Sequence, residues 1–160
     1  MRVVTGYTLR MLMSFVLLVV IACEGRGTQG ATKMEVAELG LSMHVPPGWR
    51  VDEHNPRMCA MGDNTGLVID EPLEGRVFEE YADQLCKAQG GRTRSKTPLT
   101  ISGRDAIQAV IEYPDAGSTA LKAYIHHGER LIEVSFVTPR EHFAQHESSL
   151  RKSISGIQIK

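Results

Sequence analysis

Four strand-like segments in the second half of the chain are joined by connectors of only a few residues, and this spacing constrains the fold more than any other feature. The connectors contain Ser-Gly-Arg, Pro-Asp-Ala-Gly and His-Gly-Glu-Arg, which are typical of turns. Connections this short join antiparallel neighbours, because a parallel pair needs a crossover of about a dozen residues or more. The predicted strands are Thr93–Ile101, Ala106–Tyr113, Thr119–His126 and Leu131–Val137.

The first half of the chain also has the pattern of strands and hairpins. A strand is expected over Met34–Leu39, and another from Leu41, where Leu-Ser-Met-His-Val alternates apolar and polar residues. Two apolar runs, Met58–Met61 and Leu67–Asp70, flank the sequence Gly62–Gly66. This arrangement predicts a hairpin with a loop of about five residues.

A helix is expected between these two groups of strands, from Val77 to Gln89, with Gly90-Gly91 ending it. The apolar residues on one face at helical spacing are Phe78, Tyr81, Ala82 and Leu85. The outer face carries Glu79, Glu80 and Asp83. We interpret these acids as a solvated face rather than an interaction surface, since acids in the first turn also complement the helix dipole.

A second helix is predicted near the end of the chain. Thr138 has the position of an N-cap, Pro139 that of the first helical residue, and Glu141 that of the capping-box acid. The helix should run to about Ser153, with a buried face formed by Phe143, Leu150 and Ile154. Strands in hairpins with one helix in the middle and one near the end predict an α+β domain over residues 34–160, in which helices cover an antiparallel sheet.

The first 22 residues have the anatomy of a signal peptide. Arg2 and Arg10 occur without any acid, and the twelve residues from Met11 to Ala22 are apolar except for Ser14. A run of this length is too short to cross about 30 Å of hydrocarbon as a helix, which takes about 20 residues. Residues 1–22 are therefore expected to be removed.

Val20-Ile21-Ala22-Cys23 resembles the bacterial lipobox, in which the cysteine after the cleavage site receives diacylglycerol. The alternative is an ordinary secretory signal with a cysteine at its boundary. Residues 23–33 are polar and glycine-rich, which predicts a flexible, lipidated tether. The sequence thus predicts an exported lipoprotein, held on a membrane through lipid on Cys23 and facing the periplasm or another extracytoplasmic space.

The charge distribution excludes one class of partner. All 19 acidic residues follow residue 22, as do all basic residues except Arg2 and Arg10, so the remaining 16 basic residues leave a formal charge of −3. Basic blocks of five or six residues are absent from the sequence. Binding to nucleic acid is therefore not expected.

Cys59 and Cys86 would lie outside the reducing cytoplasm in an exported protein, and a disulfide between them is expected. It would close a loop of 28 residues and stabilise the fold by about 3 to 4 kcal/mol in the chain-entropy view. Two buried free thiols are the alternative. Neither interpretation makes the cysteines catalytic, because the sequence has no C-x-x-C motif.

His142 and His146 are the strongest candidates for metal ligands, since residues four apart share a helix face and Glu141 or Glu147 can supply a third ligand. A half-buried His146 at the edge of the apolar stripe is the favoured alternative, and no metal is expected. His126 and His127 are interpreted as hairpin-tip residues that point to opposite faces, and His44 as an exposed strand residue. Trp49 is interpreted as a core residue.

No motif for catalysis or cofactor binding emerges. The glycine-rich stretches match neither a P-loop nor a dinucleotide fingerprint, and no serine lies in a G-x-S-x-G sequence. The chain is therefore expected to be neither an enzyme nor a cofactor carrier.

Four stretches of the sequence, GLSMHVPPGWRV, FEEYADQL, ISGRDAIQAVIEY and TPREHFAQHESSLRKSISGIQI, resemble DcrB-like and LpqN-like bacterial lipoproteins, which share a PsbP-like fold. The resemblance covers about Met34 to Lys160. It implies an α/β/α sandwich, with an antiparallel sheet of about six to eight strands covered by two helices, and a non-enzymatic binding or accessory role in the cell envelope with an unidentified protein partner. The alternative function is binding of a small ligand or metal in a periplasmic lipoprotein.

Overall fold

A seven-stranded antiparallel sheet forms the centre of the molecule in a computed structural model that describes residues 32–88 and 90–160. A smaller three-stranded sheet consists of β1 (Lys33–Val36), β2 (Leu41–His44) and β10 (Gln158–Ile159), in the order β1-β2-β10. The strands of the large sheet are β3 (Arg50–Val51), β4 (Met58–Met61), β5 (Asn64–Pro72), β6 (Arg92–Ile101), β7 (Arg104–Tyr113), β8 (Ser118–His127) and β9 (Arg130–Pro139), in the order β3-β4-β5-β9-β8-β7-β6.

Two helices, α1 (Phe78–Ala88) and α2 (Arg140–Ser155), cover opposite faces of the large sheet. The alternation along β8 shows how the sheet divides its side chains. Leu121 and Ile125 belong to the apolar cluster of α2, whereas Tyr124 belongs to that of α1. The predicted α+β class and the sheet of six to eight strands under two helices are confirmed.

The core on the α2 side is the larger of the two. It combines the helix residues Phe143, Leu150 and Ile154 with the inner face of the large sheet and with the small sheet. Trp49 is fully buried there, and its ring meets that of Phe136 edge-on, with centroids 5.5 Å apart. The interpretation of Trp49 as a core residue is confirmed.

The core on the α1 side contains a buried ion pair. Lys122 Nζ lies 2.7 Å from Glu133 Oε1, and the two side chains are only 4% and 6% exposed. Burial by itself lowers the pKa of Lys122, but the attraction of the Glu133 carboxylate outweighs it, so the net pKa is raised. Lys122 therefore stays charged within a layer that otherwise consists of apolar and aromatic residues.

Lys122→Met should destabilise the protein by about 3 to 5 kcal/mol, because it leaves the Glu133 carboxylate buried without its cation. Lys122→Met combined with Glu133→Leu should recover most of that loss. Lys96→Met is the matched control, since its partner Asp83 is 47% exposed, and it should cost about 1 kcal/mol or less. Urea unfolding measures all three; equal losses in the single and double variants would contradict the expectation.

The hairpin of β4 and β5 differs from its prediction. β5 begins at Asn64 rather than Leu67, so the loop contains two residues, Gly62 and Asp63, instead of five. Gly62 has φ of 57°, and the Asn64 side chain donates to the carbonyl of Met61, which together close a tight turn. Gly66 belongs to the strand, where it pairs with Cys59 and with Phe136.

Gly66 lies in a strand because its neighbours leave no room for a side chain. A Cβ at this position would be 2.5 Å from Cys59 Sγ and 2.9 Å from Phe136 Cδ1. Gly66→Ala should therefore destabilise the fold by about 1 to 3 kcal/mol through overpacking. Gly156→Ala is the control, because a Cβ there would meet nothing closer than 3.4 Å, and thermal unfolding should separate the two variants.

The start of α2 is also corrected. Thr138 is the expected N-cap, but it lies within β9, is 1% exposed, and its Oγ1 has no hydrogen-bond partner. The helix begins at Arg140 after Pro139, with no side-chain cap. The pairing of Thr138 with Thr119 keeps this residue extended, so sheet register overrides the local capping signal.

The other elements agree with the sequence to within a few residues. The first predicted strand is shorter, because Ala37–Leu39 form a 3-10 turn after β1, and the short strands β3 and β10 were not expected. α1 begins at Phe78 rather than Val77, and Gln89 lies outside the described residues. The predicted signal peptide, Cys23 and most of the tether also lie outside them.

Among residues 32–88 and 90–160, no helix has the length and apolar character needed to cross a membrane.

Candidate functional site

Charged residues from distant parts of the sequence meet around a cleft at one rim of the large sheet. The cleft has a volume of about 300 Å³ and is lined by Glu38, Leu39, Asp70, His127 and Arg130. The 3-10 turn supplies the first two residues, the end of β5 supplies Asp70, and the β8–β9 hairpin supplies the last two. We call this feature the rim cleft.

Asp70 is the most buried charged group of the rim cleft, with 11% of its side chain exposed. Arg57 Nη1 donates to Asp70 Oδ1 at 2.6 Å, and Arg130 donates to the other carboxylate oxygen. Burial by itself raises the pKa of Asp70, but hydrogen bonds from the two guanidinium groups outweigh it, so the net pKa is lowered. Asp70 is therefore ionised at neutral pH and holds both arginines in place.

Glu38 completes the pairing of Arg57. Its Oε1 accepts from Arg57 Nε at 2.9 Å and from Arg57 Nη2 at 2.8 Å. The planar fork of Arg57 thereby joins the turn after β1 to the end of β5. This contact fixes the position of Glu38 at the mouth of the rim cleft.

Arg104 supports the opposite side of the rim cleft. Its Nε donates to His127 Nδ1 at 2.9 Å, and its Nη1 donates to the carbonyls of Ser102 and Ile159 at 3.0 and 3.1 Å. Because Nδ1 of His127 accepts this bond, the ring proton must lie on Nε2. Nε2 of His127 thus remains as an N–H donor.

The rim cleft presents fixed charged groups to a ligand that enters it. Its five lining residues include two carboxylates, a guanidinium and an imidazole. They offer charged donors and acceptors whose positions are set by ion pairs. Such preorganised polar groups suit the recognition of a charged ligand.

Sequence reasoning did not find the rim cleft. Its five lining residues come from three separate segments between residues 38 and 130, with no motif to connect them. The sequence predicts that His126 and His127 are exposed hairpin-tip residues, but both are half-buried in β8. They do point to opposite faces: His126 stacks on Phe78 at 5.1 Å, and His127 meets Arg104. The signal that was available is that Arg104, His127 and Arg130 all lie at the ends of predicted neighbouring strands.

The predicted pair His142 and His146 is not part of a metal site in the described residues. His142 is exposed and His146 is half-buried. The carboxylate of Glu147 accepts from Arg151 at 2.6 and 3.0 Å, so this candidate ligand is already paired. Within residues 32–88 and 90–160, no group of three His, Cys, Asp or Glu side chains is placed to hold a metal ion.

Other candidates lie on the surface as separate features. Glu79 and Glu80 are exposed, and Asp83 pairs with Lys96 at 2.6 Å. His44 is exposed beside a second cleft of about 390 Å³, which lies between β2 and the last turns of α2. This cleft is lined mainly by Val45, Pro47 and small or serine residues.

The expected disulfide between Cys59 and Cys86 is wrong, since both are free, buried thiols. Cys59 belongs to the core on the α2 side and Cys86 to the core on the α1 side, so the large sheet separates them. Burial raises the pKa of Cys59 to about 12 despite a hydrogen bond from the backbone of Gly66. The Cys86 thiol donates to the Tyr124 hydroxyl at 3.4 Å.

Neither thiol should react with iodoacetamide in the folded protein at pH 8, because both are buried and Cys59 remains protonated. Both should be alkylated after denaturation in urea without any reductant. Mass spectrometry of the two samples checks this, and the appearance of label only after reduction would indicate a disulfide instead.

Comparison with known proteins identifies the fold but not the function. Cyanobacterial PsbP from Synechocystis has a TM-score of 0.59 at 12% identity, covering 86% of this chain and 99% of that chain. LpqN of Mycobacterium tuberculosis, described as involved in cell envelope biogenesis, has a TM-score of 0.59 at 13% identity, with coverages of 84% and 87%. A protein of unknown function from Pseudomonas aeruginosa has a TM-score of 0.52 at 15% identity, with coverages of 79% and 94%.

No protein-family profile and no curated protein sequence matches the chain. The structural similarity nevertheless confirms the PsbP-like fold that the sequence resemblance implied, and it confirms that LpqN shares this fold.

Proposed function

We propose that this protein is a lipid-anchored, non-enzymatic binding module of the cell envelope, which holds a partner at the rim cleft. Cys23 carries the lipid and attaches the chain to the membrane, and the PsbP-like domain follows on the extracytoplasmic side. The observation that carries the proposal is the set of ion-paired residues around an open cleft, which offers charged groups in fixed positions to a partner.

The geometry of the β1–β2 hairpin supports this arrangement. Thr32, where the described chain begins, accepts a hydrogen bond from the backbone of Val45 at one end of the hairpin. The turn at its other end supplies Glu38 and Leu39 to the rim cleft. Four strand residues, or about 13 Å, separate the two ends. A tether that enters at Thr32 therefore leaves the rim cleft open to a partner.

The similarity to LpqN supports the envelope location, since that protein is described as taking part in cell envelope biogenesis. The nine residue-to-residue steps from Cys23 to Thr32 would span at most about 30 Å, which would keep the domain close to the membrane surface. An accessory role for a partner in or on the same membrane fits this reach.

A small-ligand-binding lipoprotein is the second candidate function. The volume of the rim cleft, about 300 Å³, is at the lower end of the range for small-molecule sites, and this observation favours it. The metal-binding form of this alternative has less support, because the carboxylate of Glu147 is paired with Arg151.

Cys23→Ser should abolish membrane attachment, because each buried methylene of the acyl chains contributes about 0.8 kcal/mol and no other anchor is invoked. Fractionation of cells that express each form, with mass spectrometry of the mature N-terminus, measures attachment and lipidation. The matched control is Cys86→Ser, which leaves the lipidation site intact. Tight attachment of the Cys23→Ser form would refute the anchor.

Capture of partners from the native envelope tests the binding role. After mild crosslinking, the lipidated protein should enrich a defined protein or small ligand, and Arg130→Gln should reduce that enrichment. Turnover of a substrate by the purified protein without any enriched partner would refute the non-enzymatic assignment.

A further inference from the structure

The rim cleft has more N–H donors than its own carboxylates use. Arg130 has five N–H donors, and one nitrogen, Nη2, bonds to Asp70. The other guanidinium nitrogens of Arg130 make no hydrogen bond to any of the described residues, and its side chain is 47% exposed beside the cleft. His127 adds the N–H at Nε2 that its bond from Arg104 leaves available. Two neighbouring residues therefore present unused donors to the same space.

The ion pairs around the rim cleft also favour binding of a negatively charged group. Three arginines, Arg57, Arg104 and Arg130, line the rim cleft or bond to a residue that lines it. Arg57 and Arg130 are paired with the carboxylates of Glu38 and Asp70, whereas Arg104 bonds to His127 and two backbone carbonyls and to no carboxylate among the described residues. The arginine without a carboxylate partner therefore lies on the His127 side of the cleft.

The carboxylates of Glu38 and Asp70 do not occupy the unused N–H donors of Arg130 and His127. Both oxygens of Asp70 accept from arginines, and Oε1 of Glu38 accepts twice from Arg57. The charge of Glu38 is thus directed at Arg57, and that of Asp70 is shared between Arg57 and Arg130. A negatively charged oxygen group that enters between Arg130 and His127 gains charge-assisted hydrogen bonds, and Arg130 can form two of them through its planar fork.

We infer that the rim cleft binds an oxyanion group, a carboxylate or a phosphate, between the guanidinium of Arg130 and Nε2 of His127. The inference rests on the proposed binding function and names the chemistry of what is bound. The group can belong to a free small molecule or to a carboxylate of a protein partner, since the two present the same oxygens to the site.

Titration of the full chain carrying Cys23→Ser, in detergent micelles and at constant ionic strength, tests this inference by two-dimensional amide NMR. The probes are sodium phosphate, sodium acetate, and a short peptide with either a free or an amidated C-terminus. At least one anionic probe should shift the amide signals of Leu39, Asp70 and Gly128 in a saturable way, with a dissociation constant in the millimolar range or tighter. A preference for phosphate, for acetate or for the free-carboxylate peptide distinguishes the sources.

Arg130→Gln should weaken this binding at least ten-fold, and Arg130→Lys should weaken it less, because it keeps the charge but loses the fork. Arg94→Gln is the matched control: it removes the same charge from an exposed arginine that pairs only with Glu112 at 3.6 Å, and it should leave binding unchanged. Unaltered amide signals outside the rim cleft show that each variant is folded.

Shifts that do not saturate, that map away from the rim cleft, or that are equal in Arg130→Gln and Arg94→Gln would overturn the inference. The titration requires neither lipidation nor a partner, so its failure is distinct from failure of the proposed function. If anion binding is intact but no partner is captured, the proposed function is refuted and the oxyanion site is not.

Discussion

The antiparallel pairing of β5 with β9 is the contact on which the rest of the architecture depends. It aligns eight residue pairs, from Thr65 with Val137 to Pro72 with Arg130. Without it, the three strands β3, β4 and β5 and the four strands β6 to β9 would form two separate sheets. The same register sets Asp70 near the beginning of β9, where Arg130 reaches it. One long-range ladder thus determines both the sheet and the site.

Local sequence patterns predicted much of this sheet, because hairpins with short connectors involve only neighbouring segments. The strands from Thr93 to Val137 and both helices could be located in this way to within a few residues. The start of β5 could not be located in this way. The sequence Gly62–Gly66 is typical of a turn, and only the close packing of Gly66 against Phe136 shows that Gly66 belongs to the strand. The cap at Thr138 failed for a similar reason, because a partner strand decides its conformation.

The candidate site was much harder to predict than the fold. The contact between Asp70 and Arg130 depends on which strand ends share a rim. That follows from the pairing of β5 with β9, whose paired residues lie about sixty to seventy positions apart in the sequence. The expected disulfide also depended on long-range pairing. The cellular compartment and the loop length do not determine which face of a sheet each cysteine occupies, and Cys59 and Cys86 occupy opposite faces.

The division of the interior into two layers has a consequence for how such a chain can change over time. Buried side chains on the two faces of the large sheet belong to two separate apolar clusters, so substitutions in one cluster should combine additively with those in the other. An ancestor could therefore replace the packing around Phe143 while the packing around Lys122 stayed as it was, and the reverse. Substitutions that accumulate independently in the two core layers can keep the backbone fold while the sequences of related proteins become dissimilar.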